Sequence, residues 1–101
     1  MKIEQHTIDG NQIQDWASFH AAFSTELDFP DYYGNNMDAW IDCMSDLYDK
    51  ETLAAITIKN AASLKERKPE IYNALVECSA FVNWRLTAEG NDPVIALAFY
   101  V

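Results

Sequence analysis

Four aspartates, Asp38, Asp42, Asp46 and Asp49, recur at steps of four, four and three residues. On a helix this spacing lines side chains along one face, with neighbouring Cβ atoms about 5–6 Å apart. Just upstream, Phe29-Pro30-Asp31-Tyr32-Tyr33-Gly34-Asn35-Asn36 gathers most of the turn-forming residues of the chain around two tyrosines. A row of carboxylates beside stiff aromatic side chains can do one kind of chemistry well, which is to receive a cluster of cationic groups on another molecule. The charge is concentrated there. Eight of the sixteen acidic residues lie between Glu26 and Glu51, where Lys50 is the only base, and five of the seven Lys and Arg lie between Lys59 and Arg85. Like charges at i,i+4 oppose helix formation by about 0.2–0.5 kcal/mol per pair, which a packed apolar face can absorb. A plain solvated helix face carries the same pattern, and tyrosines in a Pro-bounded loop also serve to pin that loop to a core.

Other chemistries find few residues to use. His6 and His20 are the two side chains of a type that can serve as a base at neutral pH, and neither belongs to a nucleophile motif. His20 follows Phe19 in a helical pattern and reads as a packed or capping residue. Three glycines form no phosphate-binding loop, and no Cys/His cluster or EF-hand loop has metal-ligand spacing. No metal and no cofactor is expected, and the chain reads as a non-enzyme. A net charge of −9 opposes direct contact with nucleic acid, where clustered Lys and Arg must displace counterions. No apolar run has signal-peptide or membrane-span length, so a cytoplasmic location is expected, with Cys43 and Cys78 as free thiols in a reducing compartment.

The elements that must position the acidic stripe follow from periodicity. Residues 2–8 read as a short strand ending at the Asp9-Gly10 turn signal. Trp16, Phe19, Phe23 and Leu27 mark an amphipathic helix of about 12 residues, N-capped by Asp15 and closed before Pro30. A second helix runs from Met37 to about Tyr48, with Asn36 as N-cap and an apolar stripe of Met37, Trp40, Ile41, Met44, Leu47 and Tyr48. Leu53–Ile58 reads as a buried strand, Ala61–Arg67 as a short helix, and Pro69 opens a long helix to about Ala88. Ile71, Ala74, Leu75, Cys78, Phe81, Val82 and Leu86 mark the inner face of that helix. Val94–Val101, continuously apolar, reads as a central buried strand. Strands separated by helices predict one α/β domain spanning 1–101 with a small, mainly parallel sheet.

The stretch Pro30-Asp31-Tyr32-Tyr33-Gly34-Asn35-Asn36-Met37-Asp38-Ala39-Trp40-Ile41-Asp42-Cys43 resembles the signature of the barstar family, P-x-Y-Y-G-x-N-hydrophobic-D-A-hydrophobic-hydrophobic-D-C. Ile8-Asp9-Gly10 and the helix holding Phe19-His20 are similar to the opening of the family, and the second half agrees in element order. The resemblance implies a three-layer α/β sandwich, with a three-stranded parallel sheet flanked by helices. It also implies an intracellular inhibitor, monomeric when free, whose partner is a small basic ribonuclease. Asp42 then takes the place of an RNA phosphate among the catalytic cations, and Asp38 pairs with another basic group. Tyr32 packs over the catalytic pocket, Gly34, Asn36 and Met37 complete the contact, and Ile41 and Asp46 belong to the same expected set. The chain departs from the family at three points. Ile41 stands where family members can carry tryptophan, Asn35 replaces a frequent acid, and Glu77 or Arg85 occupies the region of a further acidic contact on the long helix. A non-inhibitory interaction or regulatory domain with the same fold is the alternative.

Overall fold

The computed structural model describes residues 1–101. Three strands, β1 (Lys2–Asp9), β2 (Thr52–Lys59) and β3 (Ile95–Phe99), form one parallel sheet in the order β1-β2-β3. Helices α1 (Trp16–Leu27) and α2 (Met37–Ser45) connect the first pair, and α3 (Ala61–Arg67) and α4 (Pro69–Ala88) the second. No helix is long and apolar enough to cross a membrane.

Two successive right-handed crossovers that advance in the same direction put all their helices on one side of the sheet. Burial follows that rule. Ile8, Ala54, Ile56, Ile58 and Ile95 are buried on one face, whereas Ile3, Gln5, Thr7, Ala96 and Ala98 on the other are exposed. The α/β class and the parallel sheet agree with expectation, but the three-layer arrangement is corrected to a helical layer over one face. A second correction concerns β3, which is an edge strand rather than a central one. Its alternate residues Ala96 and Ala98 face solvent, and a run of small apolar side chains looks buried to hydropathy alone. The central strand is β2, where Thr52, Ala54, Ile56 and Ile58 are buried in strict alternation.

Local signals set the helix ends. Asp15 accepts a hydrogen bond from the Ser18 N–H at 2.8 Å, and Ser18 Oγ accepts one from the Asp15 N–H at 3.0 Å, a closed capping box. Asp28 ends α1 in the left-handed region at φ 55°. The second helix is shorter than its apolar stripe suggests, because Asp46–Tyr48 tightens into a 3-10 turn. Ser45 Oγ donates back to the Ile41 carbonyl at 2.7 Å, a competing bond of the kind that loosens an α-helix. Under the helices, Phe19, Phe23, Trp40, Met44, Leu64, Ile71, Leu75 and Val82 are fully enclosed. Gly10 seats the first crossover against the sheet, since a Cβ there would lie 2.8 Å from the Lys59 carbonyl oxygen. Arg67 locks the same corner by donating to the carbonyls of Gly10 at 2.9 Å and Ile13 at 3.1 Å.

Three side chains assigned to apolar faces turn outward, one of them Tyr48 in the turn after α2. Trp16 is part-exposed at the start of α1, and Phe81 is 42% exposed on α4. Buried α4 residues are Ile71, Leu75, Ser79, Val82 and Leu86, and Phe81 sits about 100° from Val82 around the helix.

A candidate protein-binding surface on α2 and its loop

The loop before α2 is built from its anchors. Phe29 N–H donates to the Ser24 carbonyl at 3.0 Å and Tyr33 N–H to the Pro30 carbonyl at 2.9 Å, so the chain folds back on α1. Tyr33 is 8% exposed and Tyr32 86%, which separates two adjacent tyrosines that the sequence leaves equivalent. The ring of Tyr33 packs on Phe29 and His20 with centroids 4.8 and 5.5 Å apart, and His20 in turn stacks under Trp16. Its hydroxyl shares a 2.5 Å hydrogen bond with His20 Nδ1. Burial lowers the His20 pKa. Burial, aided by the nearby Cys43, pushes that of Tyr33 up, so the pair is neutral near pH 7. Tyr33 therefore pins the loop, and Tyr32 is left projecting from it.

Asn36 joins loop to helix. Its Oδ1 accepts from the Ala39 N–H at 2.8 Å as N-cap, and its Nδ2 donates to the Gly34 carbonyl at 3.3 Å. Asn35 adopts a left-handed φ of 54°, a conformation asparagine tolerates better than most residues. Gly34 lies so close that a Cβ would stand 3.3 Å from Asn36 Nδ2 and 3.5 Å from Ala39 Cβ. Trp40 and Met44 fix the inner side of α2, with Trp40 edge-on to Phe23 at 5.7 Å. The tryptophan of the motif is thus a core residue, and Ile41, half-buried, occupies the flank.

With that inner side fixed, Asp38, Asp42, Asp46 and Asp49 are all exposed. None of them takes part in an ion pair, and none of their carboxylates accepts a hydrogen bond within the chain. The ion pairs of the molecule lie elsewhere, among Lys2, Glu4, His6 and Glu26. Asp38 sits in the first turn of α2, where the helix dipole favours an anion. Asp46 and Asp42 are near enough to Cys43 that, after burial, their charge helps hold its thiol pKa above the ordinary value. Asp38 does the same for Cys78 on α4, after burial and Glu77. Both cysteines are free thiols. No group of three or more His, Cys, Asp or Glu converges to hold a metal ion.

The structure thus brings Tyr32, Gly34, Asn36, Met37, Asp38, Ile41, Asp42 and Asp46 onto one loop-and-helix surface. Within it Asn36 and Gly34 shape the backbone, Met37 and Ile41 are half-buried, and Tyr32 with the three aspartates is free to touch another molecule. Alongside, sequence reading placed Arg85 in the region of a further contact on the long helix but put Phe81 on its inner face and gave Trp84 no role. Arg85 Nη2 on α4 donates to Ser45 Oγ on α2 at 2.6 Å, and Phe81 and Trp84 lie beside it. The available signal was the strict Ile71, Leu75, Val82, Leu86 spacing, which leaves both aromatics off the inner stripe.

Fold and surface define a class of small α/β proteins in which a parallel three-stranded sheet supports an outward acidic helix beside a tyrosine-bearing loop. A family model described as "Barstar (barnase inhibitor)" matches residues 3–98, and the chain belongs to the barstar family. It is also 43% identical over 42 residues to the "Putative ribonuclease inhibitor YrdF" of Bacillus subtilis (strain 168), a match covering 42% of this chain and 46% of that relative. The aligned part spans less than half of either chain.

Proposed function

We propose that this protein is a stoichiometric inhibitor of a small basic ribonuclease, which it blocks by inserting α2 and the preceding loop into the active site. The observation that carries this reading is the row of exposed carboxylates along α2 and the turn after it, none of which forms an ion pair within the chain. Unneutralised charge on a rigid helix raises the encounter rate with a basic cleft and gains most when several cationic donors desolvate it together. Asp42, central in the stripe, takes the position of an RNA phosphate, Asp38 meets a second basic group, and Tyr32 covers the pocket. The family and the name of the Bacillus relative support a ribonuclease as the partner. In this reading the chain is a single domain, acts in the cytoplasm as a free monomer, and neither catalyses a reaction nor binds nucleic acid or a cofactor. Two unbridged cysteines suit a reducing compartment.

The test is binding to a panel of small basic ribonucleases at low and high salt, with residual RNA cleavage, for wild type and Asp42→Ala. Removing one partner of a desolvated charge pair costs about 3–5 kcal/mol, so affinity should fall by roughly 10²-fold or more. Wild-type association should slow as salt rises. Equal binding by the variant would refute the assignment of Asp42 and the mode of inhibition with it.

A further inference from the structure

Beside the acidic surface the molecule exposes a second patch of opposite character. α2 and α4 pack side by side and run in the same sense, with Asp38 abreast of Cys78 and Ser45 bonded to Arg85 at 2.6 Å. Arg85 lies over the Phe81 ring at 5.4 Å, and Phe81 meets Trp84 at 6.2 Å. Trp84 is 64% exposed, a large area for tryptophan in contact with water. From Ala80 to Ala88 the helix carries no acid, and Arg85 is its only charge. Arg85 thus stands between Ser45 of α2 and the Phe81 and Trp84 rings of α4, with the exposed Glu77 one turn before Phe81.

We propose that Phe81, Trp84 and Arg85 form a specificity-determining contact for the same partner that α2 binds, seated on an apolar patch of that partner next to its basic cleft. The inference rests on the inhibitor reading. Continuity argues for one occupant, because Arg85 joins the aromatic pair to Ser45, on the same helix as Asp38 and Asp42. Size argues likewise: the loop and a nine-residue helix offer fewer positions than the about 20–30 residues a side of a stable interface. Charge sets the chemistry of the partner. A cation placed opposite Arg85 would be repelled, so the cognate ribonuclease carries an acidic or uncharged residue there, while cations face Asp38 and Asp42. Ribonucleases that extend their basic surface over this position are thereby rejected.

The experiment measures affinity for the ribonuclease panel using wild type, the double variant Phe81→Ala/Trp84→Ala, Arg85→Glu, and Asp42→Ala. Both aromatic side chains are solvent-exposed, so the double variant should melt close to wild type, and hydrogen exchange across residues 76–88 in the wild-type complex gives a readout free of mutation. The expected result is a tenfold or greater loss for the double variant, protection of 76–88 on binding, and a reordered panel preference for Arg85→Glu, towards ribonucleases with a cation at the facing position. If Asp42→Ala loses binding while the double variant binds like wild type and 76–88 stays unprotected, the α4 contact is overturned and the inhibitor reading survives. If no ribonuclease binds, or Asp42→Ala binds like wild type, the inhibitor reading fails and this proposal fails with it.

Discussion

Tyr33→Phe isolates the pin that holds the loop. The substitution keeps the ring, and with it the packing on Phe29 and His20, and deletes only the hydroxyl that bonds His20 Nδ1 at 2.5 Å. His20 is 3% exposed, so its Nδ1 is left without a partner and out of reach of water. Leaving a buried polar atom unsatisfied costs about 1–3 kcal/mol. For a chain of this size each kcal/mol lowers Tm by about 4–8 °C, which puts the expected drop between about 4 and 24 °C. Urea and thermal unfolding followed by far-ultraviolet circular dichroism measure it. Tyr32→Phe is the internal control, because the hydroxyl of an 86% exposed tyrosine keeps its water and its removal should change stability by less than about 0.5 kcal/mol. Equal stability of the two variants, or a larger loss for Tyr32→Phe, would refute the division of labour between the adjacent tyrosines.

Further outcomes follow from the same anchors. Burial lowers the folded-state pKa of His20 below 6.5, so the unfolded chain takes up a proton that the native state refuses. Stability from this group is therefore fully present above pH 6.5 and is lost as pH falls from there towards the depressed folded value. The loss begins above the range of Glu4, Asp9 and Asp15, whose pKa values are lowered from ordinary carboxylate values. Urea titrations between pH 5 and pH 7.5 should show this slope, which His20→Gln should flatten; an unchanged slope would sink the assignment. Asn36→Ala removes the N-cap bond to Ala39 and the tie to Gly34. It should cost about 1 kcal/mol in urea titrations and weaken ribonuclease binding through a loosened loop, and a neutral result in both would contradict the role given to the cap.

Most elements were legible because their signals are local. Asp15 and Asn36 cap the helices assigned to them, Pro69 starts α4, and Ala61–Arg67 has the predicted bounds. Errors arose where the answer depends on neighbours far along the chain. Hydropathy reports that Ala96 and Ala98 are apolar, but whether a third layer covers them depends on the direction of two crossovers. Periodicity placed Phe81 inside, although the inner stripe of α4 is already filled by Ile71, Leu75, Ser79, Val82 and Leu86. At the candidate site, the spacing of Asp38, Asp42 and Asp46 showed that they share a face. Only the packing of Trp40 and Met44 shows that this face is turned to solvent, and residue type alone does not tell the buried Tyr33, bonded to His20, from the exposed Tyr32. The Arg85–Ser45 junction joins residues 40 positions apart, and no pattern within either helix contains it.

An exposed, unneutralised stripe works against the helix that bears it. Asp42 has Asp38 four residues before it and Asp46 four after, and each like-charged pair is unfavourable by about 0.2–0.5 kcal/mol. Asp42→Asn removes both repulsions with little change in shape or in helix propensity, so it should stabilise the free protein by about 0.4–1 kcal/mol at low ionic strength. Near 1 M salt the screening length shrinks to about 3 Å, and the gain should largely vanish. Paired urea titrations at the two salt concentrations measure the difference. A variant no more stable than wild type at low salt would mean that solvent already screens the stripe and that its retention needs no functional reason. A variant that is more stable yet fails to bind the ribonuclease would mean that the same carboxylate weakens the free fold and makes the complex, as expected of a residue kept for its partner.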